Sequence, residues 1–576
     1  MNRGDLNLWR LFTLVCILSL LSACLPVKIG VSTTPEAQMT ETPTPLPDSL
    51  WLEASIPEEL RQGALTWGIP LAEDASTAAL QLSIARMPIL DGLTATWIYA
   101  LVAPFPTVVD GISTTELRQA WGGVGAGVFN GRPLLIDEST LAAFSVLWGT
   151  PASGAVRTMP ADQLLDAAWA EQPSWAIIPF ESLEPRWKVL AIDDKSPVRK
   201  EFDPSGYPLT AVFSLQCASP CSLSPLPSIP ATNRDPSKLT TLVMTGVTAL
   251  VRATAYTMEA KGVLYPGRDI RDWLRNADIA HISNEIPFWV DCPYPNPNQS
   301  KLIFCSSPRY IELLEDVGTD VVELTGNHFG DYGTTATLNT LQMYRDRGWL
   351  YFGGGENLED ARKPITLEHN GNKLAFIGCN PDGPGYAWAT EDRPGAAPCD
   401  FEYITAQIKQ LRSQGYLPIA TFQYYESYSL DPGPQEQWDF RSMADAGALV
   451  VSGEQAHIPR AMEFYNGAFI HYGLGNLFFD QMFKPTKACR REFLDRHVFY
   501  DGRYISTELL TAMLQDYSRP QPMTPEQRIK LLADIFDASG WGPAVEIPTP
   551  TPTATLTLTP MTPPQPVYTL TPVGAP

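Results

Sequence analysis

VVELTGNH, residues 321–328, is a short apolar run that ends on Asn327 and His328, with Asp331-Tyr332-Gly333 just beyond. The same design recurs across the second half of the chain. LVMTG (242–246), DIAHISNEIP (278–287), LPIATFQYYE (417–426) and ALVVSGEQAH (448–457) each start as a strand rich in apolar and β-branched residues. The last four of these five runs close on Asn, Glu, Gln or His. FIHYGLGNLFF (469–479) ends the series. Parallel strands that carry polar residues just past their C-terminal ends converge them on one edge of a sheet, where open α/β sheets build sites. The residue types suit a hard or borderline metal centre or a polar small-molecule site.

Working outward, the first half alternates strand-like and helix-like segments. Residues 79–87, 96–105 and 175–183 read as strands, while 114–123 and 160–172 read as amphipathic helices. This predicts an α/β layer structure. SLSPLPSIPATNRDPSK interrupts the pattern at 222–238, so two globular units are expected at 50–222 and 239–540, joined by a linker at 223–238. Both ends differ in character. Residues 1–24 combine Arg3 and Arg10 with an apolar run and close on Leu21-Ser22-Ala23-Cys24, which reads as a lipoprotein signal peptide with Cys24 as the lipidated residue. Thr- and Pro-rich stretches follow as a tether at 25–49 and as a disordered tail at 541–576. The expected location is extracytoplasmic, with a lipid anchor as the contact with the membrane.

The chain has 576 residues, 44 % of them hydrophobic, which is material for two or three cores. A formal charge of −22 argues against nucleic acid as a partner, since that requires clustered Lys and Arg. Seven cysteines remain beyond Cys16 and Cys24. Their spacing in an exported chain predicts disulfides Cys217–Cys221 and Cys292–Cys305, and suggests Cys379 with Cys399, leaving Cys489.

In the first unit, YALVAPFPT (99–107), DGIS (110–113) and ELRQAWG (116–122) resemble type-2 periplasmic solute-binding proteins of the phosphate-binding kind. The helix start at Ser113-Thr114-Thr115 offers either an anion site or a plain N-cap, and the N-cap is preferred. In the second unit, Asn284-Glu285-x-Pro287, Asn327-His328-x-x-Asp331-Tyr-Gly, Asp445-Ala-Gly-Ala448 and Tyr472-Gly-Leu-Gly-Asn476 occur in order over residues 239–482. Together they resemble the CapA family, linked to synthesis of poly-γ-glutamate capsule. The resemblance implies the four-layer β-sandwich flanked by helices of calcineurin-like metallophosphatases. It also implies a role in synthesis, export or attachment of an extracellular polymer, and, if the site is active, a metallophosphoesterase-like or polymer-processing reaction.

Departures from the family pattern limit that implication. Val247 stands where the family has Asp, Gln423 where it has His, and Gly453-Glu-Gln455-Ala-His457 where it has Gly-His-His-Pro-His. Amides are weak, neutral ligands, so a dinuclear metal site is not expected. Glu285, His328 and His457 remain as candidate catalytic residues, and with Asn327 they form the candidate ligand set for one divalent metal ion. Asn284, Asn327, Asp331, Gln423, Glu426, Gln455, Arg252 and Asn476 are the candidate binding residues. Three arrangements stay open: a polar pocket without metal, a mononuclear metal site, and an inert scaffold. The ligand would be an anionic polymer or a small molecule. The rival function is a non-catalytic binding or scaffold lipoprotein that uses the solute-binding-like unit. His281 and His471 are expected as core or supporting groups, and His497 on the solvated surface.

Overall fold

The computed structural model describes residues 48–86, 93–125, 127–217 and 225–542. Cys24, Cys221, the signal and tether segments before residue 48 and the tail after 542 lie outside them.

The first lobe is the expected α/β layer. Its main sheet runs in the order Leu50–Leu52, Leu80–Ile84, Thr210–Cys217, Leu93–Pro104, Trp175–Pro179, Leu134–Ile136, Val156–Thr158, with mixed strand directions. The central strand Leu93–Pro104 is buried along most of its length, so it reads as a continuous apolar run. Helix Thr114–Trp121 starts on a capping box between Ser113 and Glu116. Asp193 takes up the next donors, accepting from the Thr114 backbone N–H at 3.1 Å and from its hydroxyl. Two carboxylates therefore already sit on this helix start, which is the N-cap arrangement.

The second lobe is a sandwich of two sheets. One runs Leu350–Phe352, Val321–Glu323, Ile279–Asn284, Leu239–Thr245, Arg491–Tyr500, Arg503–Gln515, Arg519–Pro522. The other runs Ile365–His369, Asn372–Cys379, Leu417–Gln423, Val450–Glu454, Ala468–His471, Met462–Tyr465. The first four strands of the first sheet are parallel, as are the four central strands of the second. Their alternating side chains divide into two sets. Val243, Ala280, Ile282 and Val322 pack outward with Met258, Leu313, Leu341 and Tyr344, residues of the helices and turns that cover that face. Ala420, Phe422, Val451 and Ile470 pack outward with Ile404, Ile408, Phe440 and Met443 on the opposite side. Leu242, Met244, Ile279, Val321, Phe376, Ile419, Val450 and Phe469 face one another between the sheets. The result is the four-layer arrangement of helices, sheet, sheet, helices.

Two glycines explain sequence blocks that carry no ligand. Gly447 ends the helix Pro434–Ala446 at φ +110°, and a Cβ there would lie 2.7 Å from Arg412 Cγ. The Asp445–Ala448 block is therefore a helix stop. A Cβ on Gly246 would lie 2.1 Å from the Gly475 carbonyl oxygen, so only glycine lets the two segments touch.

The segment expected as a linker is exposed or half-buried over most of residues 225–238 but is pinned at two positions. Asn233 and Arg234 are buried; Asn233 exchanges two 2.8 Å hydrogen bonds with the backbone of Ile98, and Tyr500 donates to the Asn233 carbonyl. The lobes also share core: Leu239, Val498, Tyr500 and Ile505 join the first lobe's apolar cluster, and Phe105 joins the inter-sheet cluster. Disulfides link Cys292 to Cys305 and Cys379 to Cys399, and Cys489 is free and buried.

Candidate functional site

Each inward-facing row of the sandwich changes character along its strand. Ile279 is followed by His281 and Ser283, and Val321 by Glu323 and Thr325. Ile419 gives way to Thr421 and Gln423, Val450 to Ser452 and Glu454, and Phe469 to His471. All of these polar side chains are buried. The space between the sheets is thus apolar at one end and becomes a polar wedge toward the edge where the parallel strands finish. The candidate site is the mouth of that wedge.

At the mouth, the Gln423 amide nitrogen donates to Glu285 Oε1 at 3.1 Å and to the Gln455 side-chain carbonyl, so one side chain bridges the two sheets. Gly326 packs directly on Glu285, where a Cβ would lie 2.7 Å from the Glu285 Cα, and this sets Asn327 and His328 beside the same carboxylate. His328 Nδ1 lies 2.7 Å from Asp331 Oδ2. Burial pulls the His328 pKa down, but Asp331 and Glu285 outweigh it and leave the imidazole above its ordinary value. Asp331 is fixed in turn by the Phe304 backbone N–H at 2.8 Å and by Tyr386.

His457 enters from the other sheet with Nδ1 2.8 Å from Asn476 Oδ1. Arg252 is held by Asp480 and lies between the rings of Phe304 and Phe479, 5.1 and 5.0 Å from their centroids. Phe304 packs against His328 and Phe479 against His457. An apolar bracket therefore spaces the two histidines. Arg252, Gln455 and His457 all have positive φ, at 44°, 74° and 57°. Such backbone is costly for residues other than glycine and gathers at functional sites.

Glu285, Asn327, His328, Asp331, Gln423, Gln455 and His457 thus lie around this edge, with Arg252 and Asn476 holding positions beside it. Asn284 does not join them. It faces outward, the parity opposite to Ser283 and Glu285, and its amide donates to the Ile286 carbonyl and to Tyr344 in the helical layer. Glu426 lies past the strand end, exposed, where Tyr428 donates to it. His497 corrects an expectation: it is 1 % exposed in strand Arg491–Tyr500, bonded to Tyr504 at 2.9 Å, with burial drawing its pKa down to about 4. The charges around it in sequence alternate to the other face of the sheet or pair within the wedge.

The wedge below the mouth holds His471 and His281, buried as expected of supporting groups, beside acids that sequence reasoning passed over. His471 Nδ1 is 2.6 Å from Asp495 Oδ2, and His281 Nε2 is 3.1 Å from Glu323 Oε2. Glu454 is buried with neither carboxyl oxygen hydrogen-bonded among the described residues. Burial, reinforced by Glu323, Glu285 and Asp495, pushes its pKa well up. Period-two alternation from Val450 through Ser452 would have pointed to Glu454, which reads in sequence only as a lost histidine.

These side chains do not fit the metal that the resemblance implies. Among the described residues no three His, Cys, Asp or Glu side chains are grouped to hold an ion. Glu285 instead accepts from an amide N–H, and Glu454 in the wedge is held toward its neutral form by burial. What the arrangement does supply is hydrogen-bond acceptors. Gln423 Oε1 and Asn327 Oδ1 are buried without a donor among the described residues, so each can accept a hydrogen bond from water or from a ligand.

Comparison with known proteins matches this part of the chain to a family. Residues 241–481 match the family described as bacterial capsule synthesis protein PGA_cap. A capsule biosynthesis protein CapA of Bacillus anthracis is 26 % identical over 300 residues, 51 % of this chain and 72 % of that protein. A PGA biosynthesis protein CapA of Bacillus subtilis is 31 % identical over 179 residues, 31 % of this chain and 47 % of that protein. Among solved structures, a calcineurin-like phosphoesterase of Bacillus subtilis aligns with a TM-score of 0.29 and 12 % identity, covering 53 % of this chain and 98 % of that one. The sandwich with its polar edge, residues 241–481, thus matches the bacterial capsule synthesis family, and the chain is similar over part of its length to the CapA proteins.

Proposed function

We propose that this chain acts at the cell envelope in the synthesis, export or attachment of an extracellular polymer of the poly-γ-glutamate type. In this reading the edge site recognises amide or hydroxyl donors of the polymer or its precursor. One observation carries it: the strand ends covered by the family match carry two buried acceptors, Gln423 Oε1 and Asn327 Oδ1, that lack a donor among the described residues. A γ-linked polyamide offers backbone N–H groups at regular spacing, which suits such acceptors. Gln423 and Gln455, where the family pattern has histidine, support recognition over metal-assisted hydrolysis.

The test is calorimetric titration of the full chain with γ-linked oligoglutamate, beside Gln423→Leu and Asn327→Leu. Binding by the wild type that both substitutions weaken supports the reading. Oligoglutamate affinity unchanged by both substitutions, or no binding at all, overturns it. Lipid attachment at Cys24 belongs to the same proposal. Among the described residues no helix is long and apolar enough to cross a membrane. Mass spectrometry of the membrane fraction should find an acylated Cys24 peptide, which Cys24→Ala removes; an unmodified Cys24 in the mature chain would count against it.

A further inference from the structure

A second cavity, of about 210 Å³, lies between the lobes, away from the sandwich edge. The first lobe contributes Asp110, Lys188 and Arg199; the second contributes Glu508 and Arg528 together with Trp273, Leu532 and Phe536. Pockets for small ligands concentrate at such junctions, with apolar walls and a few placed polar groups.

Its electrostatics are unbalanced. Asp110 is saturated: Lys188 reaches Oδ1 at 2.7 Å, and Arg528 grips both oxygens at 2.6 and 2.8 Å. These two cations outweigh the effect of burial and hold the carboxyl well below its usual range. Glu508 is likewise shared, by Arg199 Nε at 3.2 Å and Arg496 Nη1 at 3.0 Å. Four cations thus meet two carboxylates. Glu201, the other acid near Arg199, stands exposed, where solvent screens it. Arg528 spends both Nη1 donors on the Leu509 carbonyl and the Thr511 hydroxyl, so a single Nη2 N–H remains. Arg199 differs. Among the described residues its one side-chain hydrogen bond is from Nε, so both terminal amino groups keep their donors, and its side chain is 34 % exposed at the cavity wall.

We propose that this inter-lobe cavity binds a small organic anion, a carboxylate carried on an apolar body, with the Arg199 guanidinium as the partner of the head group and Trp273, Leu532 and Phe536 as the apolar wall. Excess positive charge in a half-buried cavity is costly without a counter-charge, and the apolar wall selects against a bare, strongly hydrated ion. The cavity holds the volume of about seven waters, the scale of a carboxylic acid with a short chain.

Isothermal titration of the full chain with octanoate, octanamide and inorganic phosphate tests each part. Octanoate is expected to bind about tenfold or more tightly than either of the others. Arg199→Gln should weaken octanoate binding by about tenfold, and Glu508→Gln, which frees Arg199 from its competitor, should strengthen it. No octanoate binding up to about 10 mM overturns the proposal. So does equal affinity for octanoate and octanamide, or for octanoate and phosphate, or an octanoate affinity that Arg199→Gln leaves unchanged. Because the Arg199 side chain is partly exposed, that variant is expected to keep the wild-type circular dichroism spectrum and Tm, which separates loss of binding from loss of fold.

Discussion

The two ends of the inter-sheet space are built from the same strands, in the same register, yet obey opposite rules. At one end Leu242, Ile279, Val321, Phe376, Ile419 and Phe469 interdigitate as an ordinary core. One or two rungs further along, His281, Glu323, Glu454, His471 and Asp495 fill the equivalent positions, several with polar atoms that no donor or acceptor among the described residues meets. Apolar burial stabilises a fold, whereas burying charge is at best neutral against a well-packed apolar replacement. The polar end therefore exists for what it presents at the sheet edge, and the apolar end supports it.

The comparison can be attacked directly. Phe469→Ala, in the apolar end, should cost about 3–5 kcal/mol in urea unfolding, the range for truncating a buried aromatic. Asp495→Ala strands His471 without its partner and should cost about 3 kcal/mol. A negligible loss there would mean that the wedge is solvated and the contrast false. His497 titrates the same boundary. Its folded pKa of about 4 lies below the ordinary histidine value of 6.5, so the unfolded chain binds the extra proton. Its contribution is full above about pH 6.5 and is lost as pH falls toward 4, by about 2 to 3 kcal/mol on linkage grounds. In His497→Leu the decline of Tm between those pH values should be shallower than in the wild type; parallel curves would sink the assignment.

Glu454→Gln should change stability by less than about 1 kcal/mol near pH 5, because burial already keeps that carboxyl neutral. Its raised pKa gives the opposite sign to His497. The folded chain keeps a proton that the unfolded chain releases, so the wild type loses stability as pH rises above 4.5 and the variant does not. At the small end, Glu426→Gln on the exposed strand exit should stay within about 0.5 kcal/mol.

Much of this was legible before any coordinates. Four apolar runs closing on polar residues were enough to place Glu285, Asn327, His328, Gln423 and His457 along one edge, because parallel strands leave little freedom in where their C-terminal ends lie. What sequence obscured was parity. Asn284 and Glu285 are adjacent in the chain and so point to opposite layers, which gives one a bond to Tyr344 and the other a bond from Gln423. Counting in twos from Ile279 or Val450 resolves such cases, and it also uncovers Glu323 and Glu454, which no resemblance had singled out. His497 was misplaced because charged neighbours in sequence say nothing of burial when strands alternate faces. The route of residues 225–238 was out of reach for a different reason: proline and serine mark where regular structure stops, but the bond from Asn233 to Ile98 joins positions 135 residues apart.

That buried crossing bears on how the molecule could be divided. A cut between residues 222 and 239 follows the composition and falls just ahead of the family match, yet it would expose Val498, Tyr500 and Ile505, whose neighbours belong to the first lobe. Severing there would leave a sandwich with an adhesive flank, prone to pair with its own copies. The borders of kinship and the borders of autonomous folding run along different lines in this chain, and an expression fragment should respect the second.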